Sequence, residues 1–199
     1  MKSFEVENVT FGNGNLSFIL GPCVVENHQH ALFMAQEIRD ICRHVGVDFV
    51  YKSSFDKANR SSIESFLAPW DAKNIVEKLQ NAGCEKILLT ERGASFGYNN
   101  LVVDLRSFPV MRSFGVPVVF DVTHSLQLPG GLGKATGGQA EYIEHFARAG
   151  VACGVDAVFM EVHDNPANAP SDGPNQLPLY ILEKLLRKLK QIHELVNAE

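Results

Sequence analysis

With 199 residues, 45% of them hydrophobic, and a formal net charge of −5, the chain has enough apolar content for the core of one domain. The mild acidity argues against a nucleic-acid binder, whose surface is basic, and the absence of any run of eighteen apolar residues argues against a membrane-spanning helix. No secretory signal is expected, because the N-terminus carries acidic residues early and lacks a long apolar stretch. Four widely spaced cysteines, Cys23, Cys42, Cys84 and Cys153, without a CxxC pair, suit a reducing cytosol and a cytoplasmic location.

In chain order, Leu16–Val25 (LSFILGPCVV) predicts a buried strand interrupted by Gly-Pro. His28–Val45 predicts a helix, with Ala31, Leu32, Ala35, Ile38, Ile41, Cys42 and Val45 at three- and four-residue spacing and Gly46 as its stop. Val47–Tyr51 predicts a second strand. It runs into YKSSFDKANRSS (Tyr51–Ser62), where Lys52, Lys57 and Arg60 stand among Ser53, Ser54, Asn59, Ser61 and Ser62. Three cations with hydroxyls and an amide in a loop after a strand suit phosphate or carboxylate groups, although a solvated basic loop has the same composition.

Pro69–Asn81 predicts a helix opened by proline and closed by Gly83, and Lys86–Thr90 a short buried strand that delivers Glu91-Arg92-Gly93. Leu101–Phe114 predicts a helix that Pro109 should kink or break. Pro117–Val122 predicts a strand ending at Thr123-His124-Ser125, and Leu128–Gly138 a long loop carrying Lys134. A helix over Gln139–Val151, a strand over Asp156–Val162, a polar loop over Asp164–Pro174 and a helix over Pro178–Val196 complete the chain. Strand, loop and helix thus recur five times, which predicts an α/β fold with a parallel sheet. In barrels of this type chemistry gathers at the C-terminal ends of the strands, where all the polar clusters fall.

Cys23, His124, Glu161 and Asp172 follow three different strands. A thiolate, an imidazole and two carboxylates suit a borderline divalent ion, Zn²⁺ or Fe²⁺, with Mn²⁺ and Co²⁺ in the same range. The spacing alone leaves other roles open: Cys23 as a small buried hydrophobe, His124 as a neutral hydrogen-bonded imidazole, Glu161 and Asp172 as lysine partners or helix caps. His28, His30, His44, His145 and His193 read as surface residues, and His163 stays open. Cys42 and Cys153 read as core residues on helices.

The segments KSSFDKANRSS, TERGASFGYNNLVVD, FDVTHS followed by PGG, and SDGPNQLPL closely resemble the 3-deoxy-D-manno-octulosonate 8-phosphate synthases, in that family's order and from about Leu16 to the C-terminus. The resemblance implies a (β/α)₈ barrel, usually a homotetramer. It implies condensation of phosphoenolpyruvate with arabinose 5-phosphate, with release of phosphate, for lipopolysaccharide or a pectin sugar. Cysteine in GPCVVEN marks the metal-dependent class, with Cys23, His124, Glu161 and Asp172 at its four ligand positions. The same resemblance assigns Lys52, Ser54, Lys57, Asn59, Arg60, Ser61 and Arg92 to substrate binding, and Lys52 and His124 are expected to be catalytic. Arg92 and Lys57 are expected nearer phosphoenolpyruvate, Arg60 and Ser61 nearer the sugar phosphate.

One departure stands out. Family members continue after SSIESF with three more strand–helix steps, whereas here Phe66 runs directly into Leu67-Ala68-Pro69-Trp70. The sequence therefore reads as one incomplete barrel domain over residues 1–199, with an internal deletion near Phe66. The lost steps would hold a lysine that contacts phosphoenolpyruvate, an aspartate and a histidine. The alternative reading is a truncated, non-catalytic relative that keeps metal or phosphosugar binding.

Overall fold

The computed structural model describes residues 2–55, 68–96, 100–132 and 135–198. Lys57, Asn59, Arg60, Ser61 and Lys134, and the junction at Phe66, lie outside the described residues.

The chain opens with an antiparallel hairpin that the hydrophobic pattern had not announced, β1 (Phe4–Val6) with β2 (Val9–Phe11). β3 (Ser17–Gly21) leads to helix α1 (His28–Val45). Asn27 caps α1 by accepting from the His30 amide, and Gly46 closes it with φ 70°, a left-handed conformation that glycine adopts without a Cβ penalty. β4 (Asp48–Tyr51), α2 (Ala72–Asn81), β5 (Leu89–Glu91) and the short strands β6 (Ala94–Phe96) and β7 (Asn100–Val102) follow. Pro69–Asp71 forms a 3₁₀ turn ahead of α2, so proline does open that helical segment.

The helix expected over Leu101–Phe114 is much shorter: α3 spans Ser107–Arg112. Pro109 sits in its first turn, where a missing N–H breaks no intrahelical bond. Beyond β8 (Val118–Asp121) and the single turn α4 (Val122–Ser125), the glycine-rich stretch expected to be a loop forms a second hairpin, β9 (Gln127–Leu132) with β10 (Ala135–Gly138). Helix α5 (Ile143–Ala152), strand β11 (Ala157–His163), strand β12 (Leu177–Pro178) and helix α6 (Leu179–Val196) complete the chain.

Five strands form one parallel path in the order β4-β3-β11-β8-β5, and β12 adds to the end of β11. That order is circular. Among the described residues, the last long strand pairs with the first of the path, which runs β3, β4, then β5, β8, β11 and back to β3, broken between β4 and β5. Among the described residues this is the pairing of a parallel barrel in which β4 and β5 are not joined.

Strand alternation sorts the side chains into two layers. Phe18, Leu20, Val118, Phe120, Val158, Met160 and Val162 face Met34, Ile38, Cys42 and Val45 of α1, Ala147 and Val151 of α5, and Leu182, Leu185, Leu186 and Leu189 of α6. Each large apolar side chain buried this way stabilises the fold by about 1.5–3 kcal/mol relative to exposure. On the other face Ile19, Val50, Val119, Ala157 and Phe159 pack with Val9 and Phe11 of the first hairpin. That hairpin thereby covers the inner face near the N-terminal ends of the strands. Ser17 Oγ donates to the Thr10 carbonyl at 3.2 Å and ties the two together. Cys42 is buried as expected, but Cys153 is exposed, at the C-cap of α5 just past its last turn. Among the described residues, no helix is long and apolar enough to cross a membrane.

Candidate metal and substrate site

The polar residues collect at the C-terminal ends of the parallel strands. Cys23 follows β3 and Lys52 follows β4. Arg92 follows β5, His124 lies in α4 just after β8, and Glu161 lies on β11. Asp172 arrives on the loop after β11 with φ 52°, left-handed and uncommon for a residue other than glycine.

Three of the four expected ligands converge. One donor atom each from Cys23, Glu161 and Asp172 lies within 4.8 Å of the others. Cys23 Sγ donates to Asp172 Oδ2 at 3.2 Å, and both Cys23 and Glu161 are buried. His124 joins through Glu161, with Nε2 3.3 Å from Glu161 Oε1. A thiol, an imidazole and two carboxylates crowded into one buried corner fit a borderline divalent cation: each prefers to be deprotonated as a ligand, and the cation offsets the resulting charge.

The sequence reading missed the groups that hold these ligands. Asp121 is the N-cap of α4: it accepts from the His124 amide at 3.0 Å and faces His124 Nδ1 at 2.8 Å. This backing fixes the ring so that Nε2 points at Glu161, the arrangement usual behind a metal-binding histidine. The aspartate three residues before the histidine in FDVTHS was the available signal. Thr123 Oγ1 donates to Asp121 Oδ1 at 3.4 Å and receives the Glu161 amide at 3.2 Å, linking α4 to β11. Burial of His124 disfavours its charged form, but hydrogen bonds to Asp121 and Glu161 outweigh that and push its pKa up to about 9.

Lys52 and Ser54 stand beside this corner. Lys52 Nζ donates to Ser54 Oγ at 3.1 Å and lies 5.2 Å from the centre of the Phe159 ring. That ring stacks on His124 with centroids 5.6 Å apart, so one aromatic separates the lysine from the imidazole. Ser54 is held by main chain: its amide donates to the Cys23 carbonyl at 3.2 Å, and its carbonyl accepts from the Val25 amide at 2.9 Å. Arg92 reaches the same corner indirectly. Its Nη2 donates to Gln127 Oε1 at 3.0 Å, and Gln127 Nε2 donates to Asp172 Oδ1 at 3.2 Å. Gln127, unremarked in the sequence, connects the arginine of β5 to the carboxylate beside Cys23.

Histidines divide differently from expectation. His30, read as a surface residue, is largely covered and meets Asp164, with Nε2 3.0 Å from Oδ1. His163 is buried, with Nε2 2.6 Å from Glu26 Oε1.

Comparison with known proteins gives two kinds of match. The sequence model of the DAHP synthetase I family matches residues 2–67 and 64–198, two segments that meet at the Phe66 junction. The 2-dehydro-3-deoxyphosphooctonate aldolase of Geobacter sp. (strain M21) is 40% identical, covering 98% of this chain and 99% of that protein. The proteins of the same name from Trichlorobacter lovleyi and Cyanothece sp. are 39% and 40% identical, over 98% and 93% of this chain and 99% and 95% of theirs. The alignment to the Geobacter protein runs over 270 positions, although this chain has only 199 residues.

Proposed function

The chain belongs to the DAHP synthetase I family, and from that membership we propose that it condenses phosphoenolpyruvate with arabinose 5-phosphate, giving 3-deoxy-D-manno-octulosonate 8-phosphate and inorganic phosphate. The observation that carries the reading is the convergence of Cys23, Glu161 and Asp172, with His124 at Glu161, beside Lys52 and Ser54 at the C-terminal ends of the strands. Relatives 40% and 39% identical to it over 98% of its length bear the name 2-dehydro-3-deoxyphosphooctonate aldolase.

In this reaction C3 of the enol phosphate forms the new bond to the aldehyde carbon of the pentose, and the aldehyde oxygen takes up a proton. Water adds at C2. Cleavage of the C2–O bond then expels inorganic phosphate and leaves the 2-oxo group. Cys23, His124, Glu161 and Asp172 would hold the divalent cation, which when bound supplies Lewis acidity and a template for the aldehyde or the water. Lys52 would hold an anionic oxygen of phosphoenolpyruvate while Phe159 flanks its ammonium and keeps bulk water from that side. Arg92, steadied by Gln127, would supply a second cation for the same substrate. Lys57, Asn59, Arg60 and Ser61, by resemblance, would bind the sugar phosphate. Asp121 orients His124 and needs no contact with substrate.

A second reading has its own support in the break between β4 and β5. With that part of the barrel missing, the chain would bind metal or phosphosugar without turnover. One experiment separates the two: phosphate release from phosphoenolpyruvate plus arabinose 5-phosphate, with and without Zn²⁺ or Fe²⁺. The chain is run beside a version with three strand–helix units inserted at Phe66. Turnover by both supports the synthase. Turnover by the restored chain alone favours the binding reading.

A further inference from the structure

We infer that Glu26, His30 and His163 form a second divalent-cation site, separate from the Cys23 corner, with Asp164 as the carboxylate behind both imidazoles.

One donor atom from each of Glu26, His30 and His163 lies within 4.8 Å of the other two. Two come from the start of α1 and the third from the far end of the chain. Glu26 precedes the N-cap of α1, and His30 sits in its first turn, fixed by the Asn27 cap. His163 ends β11. The two rings lie side by side, centroids 4.9 Å apart. The same oxygen, Asp164 Oδ1, is 3.0 Å from His30 Nε2 and 3.1 Å from His163 Nδ1. A carboxylate on the far nitrogen of each ring is the usual support behind metal-bound histidine, because it leaves the near nitrogen with its lone pair outward.

The near side is where a cation is called for. In the neutral tautomer that donates Nε2–H to Asp164, His30 Nδ1 carries a lone pair. That Nδ1 is buried, has no hydrogen-bond partner and faces Glu26 Oε1 across 3.9 Å. In that tautomer a lone pair and a carboxylate oxygen face each other across the gap, and either a proton or a metal ion between them removes the repulsion. Two ligands bonded to one tetrahedral ion at about 2.0–2.2 Å stand about 3.3–3.6 Å apart, so an ion would draw His30 Nδ1 and Glu26 Oε1 in from 3.9 Å and part His163 Nε2 from Glu26 Oε1, which lie 2.6 Å apart. His163 completes the set. Without an ion, the Asn165 amide donates to Nδ1 at 2.9 Å and Nε2–H points to Glu26 Oε1 at 2.6 Å. When a cation takes Nε2, the ring proton moves to Nδ1 and the Asn165 amide turns away from it, leaving Asp164 Oδ1, 3.1 Å from Nδ1, to face that proton. No charge is stranded and no co-reactant is needed. Glu26 is exposed enough for entry from solvent. Two imidazoles and a carboxylate without sulfur select Zn²⁺, Co²⁺ or Ni²⁺ over Mg²⁺ or Ca²⁺.

The test titrates Co²⁺ alone into the full chain carrying Cys23→Ala, after removal of endogenous metal, with visible absorption and calorimetry as readouts. One equivalent is expected to bind with ligand-field bands and without the thiolate charge-transfer band of a sulfur site. His30→Ala in the same background should weaken that binding by about tenfold or more, and Asp164→Asn by about ten- to hundredfold. Alanine is favourable in a first helical turn, and circular dichroism checks that α1 is retained. Should Cys23→Ala not fold, the comparison is made in the parent chain, where two equivalents are expected and His30→Ala should leave one, with the charge-transfer band intact. Cobalt binding that ignores His30→Ala, or no sulfur-free equivalent in either background, overturns the inference. The catalytic reading is untouched by either result.

Discussion

Cys23 Sγ lies 3.2 Å from Asp172 Oδ2, although 149 residues separate the two in the chain. A thiol and a carboxylate this close, with one partner fully buried, make a polar contact whose value for stability alone is modest. Deprotonated, the same pair is two thirds of a ligand triangle completed by Glu161.

Replacing that sulfur should therefore be felt first by metal. Cys23→Asn is expected to lower the affinity for Zn²⁺ or Fe²⁺ and to make any turnover less dependent on added metal. Metal content after dialysis, compared in a His30→Ala background, checks the first point and a chelator titration of activity the second. If Cys23→Ala held metal as tightly as the parent, this cluster would not be the ligand set.

In the metal-free protein, His124 gives a pH dependence of defined sign. Its pKa is raised to about 9 from an ordinary 6.5, so its contribution to stability is fully present below about pH 6.5 and is lost as pH rises through about 9. With a chelator present, the difference in melting temperature between the parent and His124→Asn should be largest at pH 6 and shrink towards pH 9. A difference that grows with pH would mean that Asp121 and Glu161 do not hold the ring charged.

Thiol chemistry should sort the remaining cysteines. Cys84 and Cys153 are exposed, whereas burial pushes the Cys42 thiol up to about 12. In Cys23→Ala at pH 8, a thiol reagent such as dithionitrobenzoate should modify two cysteines quickly and the third only after unfolding. Three fast thiols would mean that α1 does not stay packed on the sheet.

Gly150 tests the outer layer. A Cβ there would collide with the Phe120 ring, which also meets Phe108 edge-on at 5.2 Å. Gly150→Ala is expected to destabilise the fold by about 1–3 kcal/mol despite the better helix propensity of alanine. Denaturant unfolding measures it; an unchanged midpoint would mean that α5 can move off β8 at little cost.

Helix α1 was legible to the residue, because Ile38, Cys42 and Val45 repeat on one face ahead of a glycine stop, although its Asn27 cap was not read. Periodicity failed where side chains were few. The stretch LPGGLGKATGG has too many glycines to alternate, yet its backbone pairs into β9 and β10. The length of α3 was misjudged because apolar residues on both sides of Pro109 continue a helical pattern that β7 and a turn interrupt. At the site, residue types in the right chain order were enough to nominate Cys23, His124, Glu161 and Asp172. Of their supports only Asp121, three residues before His124, left a signal in the sequence. Gln127 matters only because Arg92 and Asp172 flank it in space, and His30 looked like a surface residue because Asp164 lies 134 residues away.

The circular strand order has a consequence for how this molecule relates to a longer one. A ring lacking one arc keeps every remaining neighbour, so nothing needs re-threading to complete it. New units entered at one place in the chain, between β4 and β5, would dock on two edges that already face each other in sequence. Lengthening or shortening such a ring is a single cut and a single join, which leaves the Cys23 corner, built wholly from the retained arc, in place throughout.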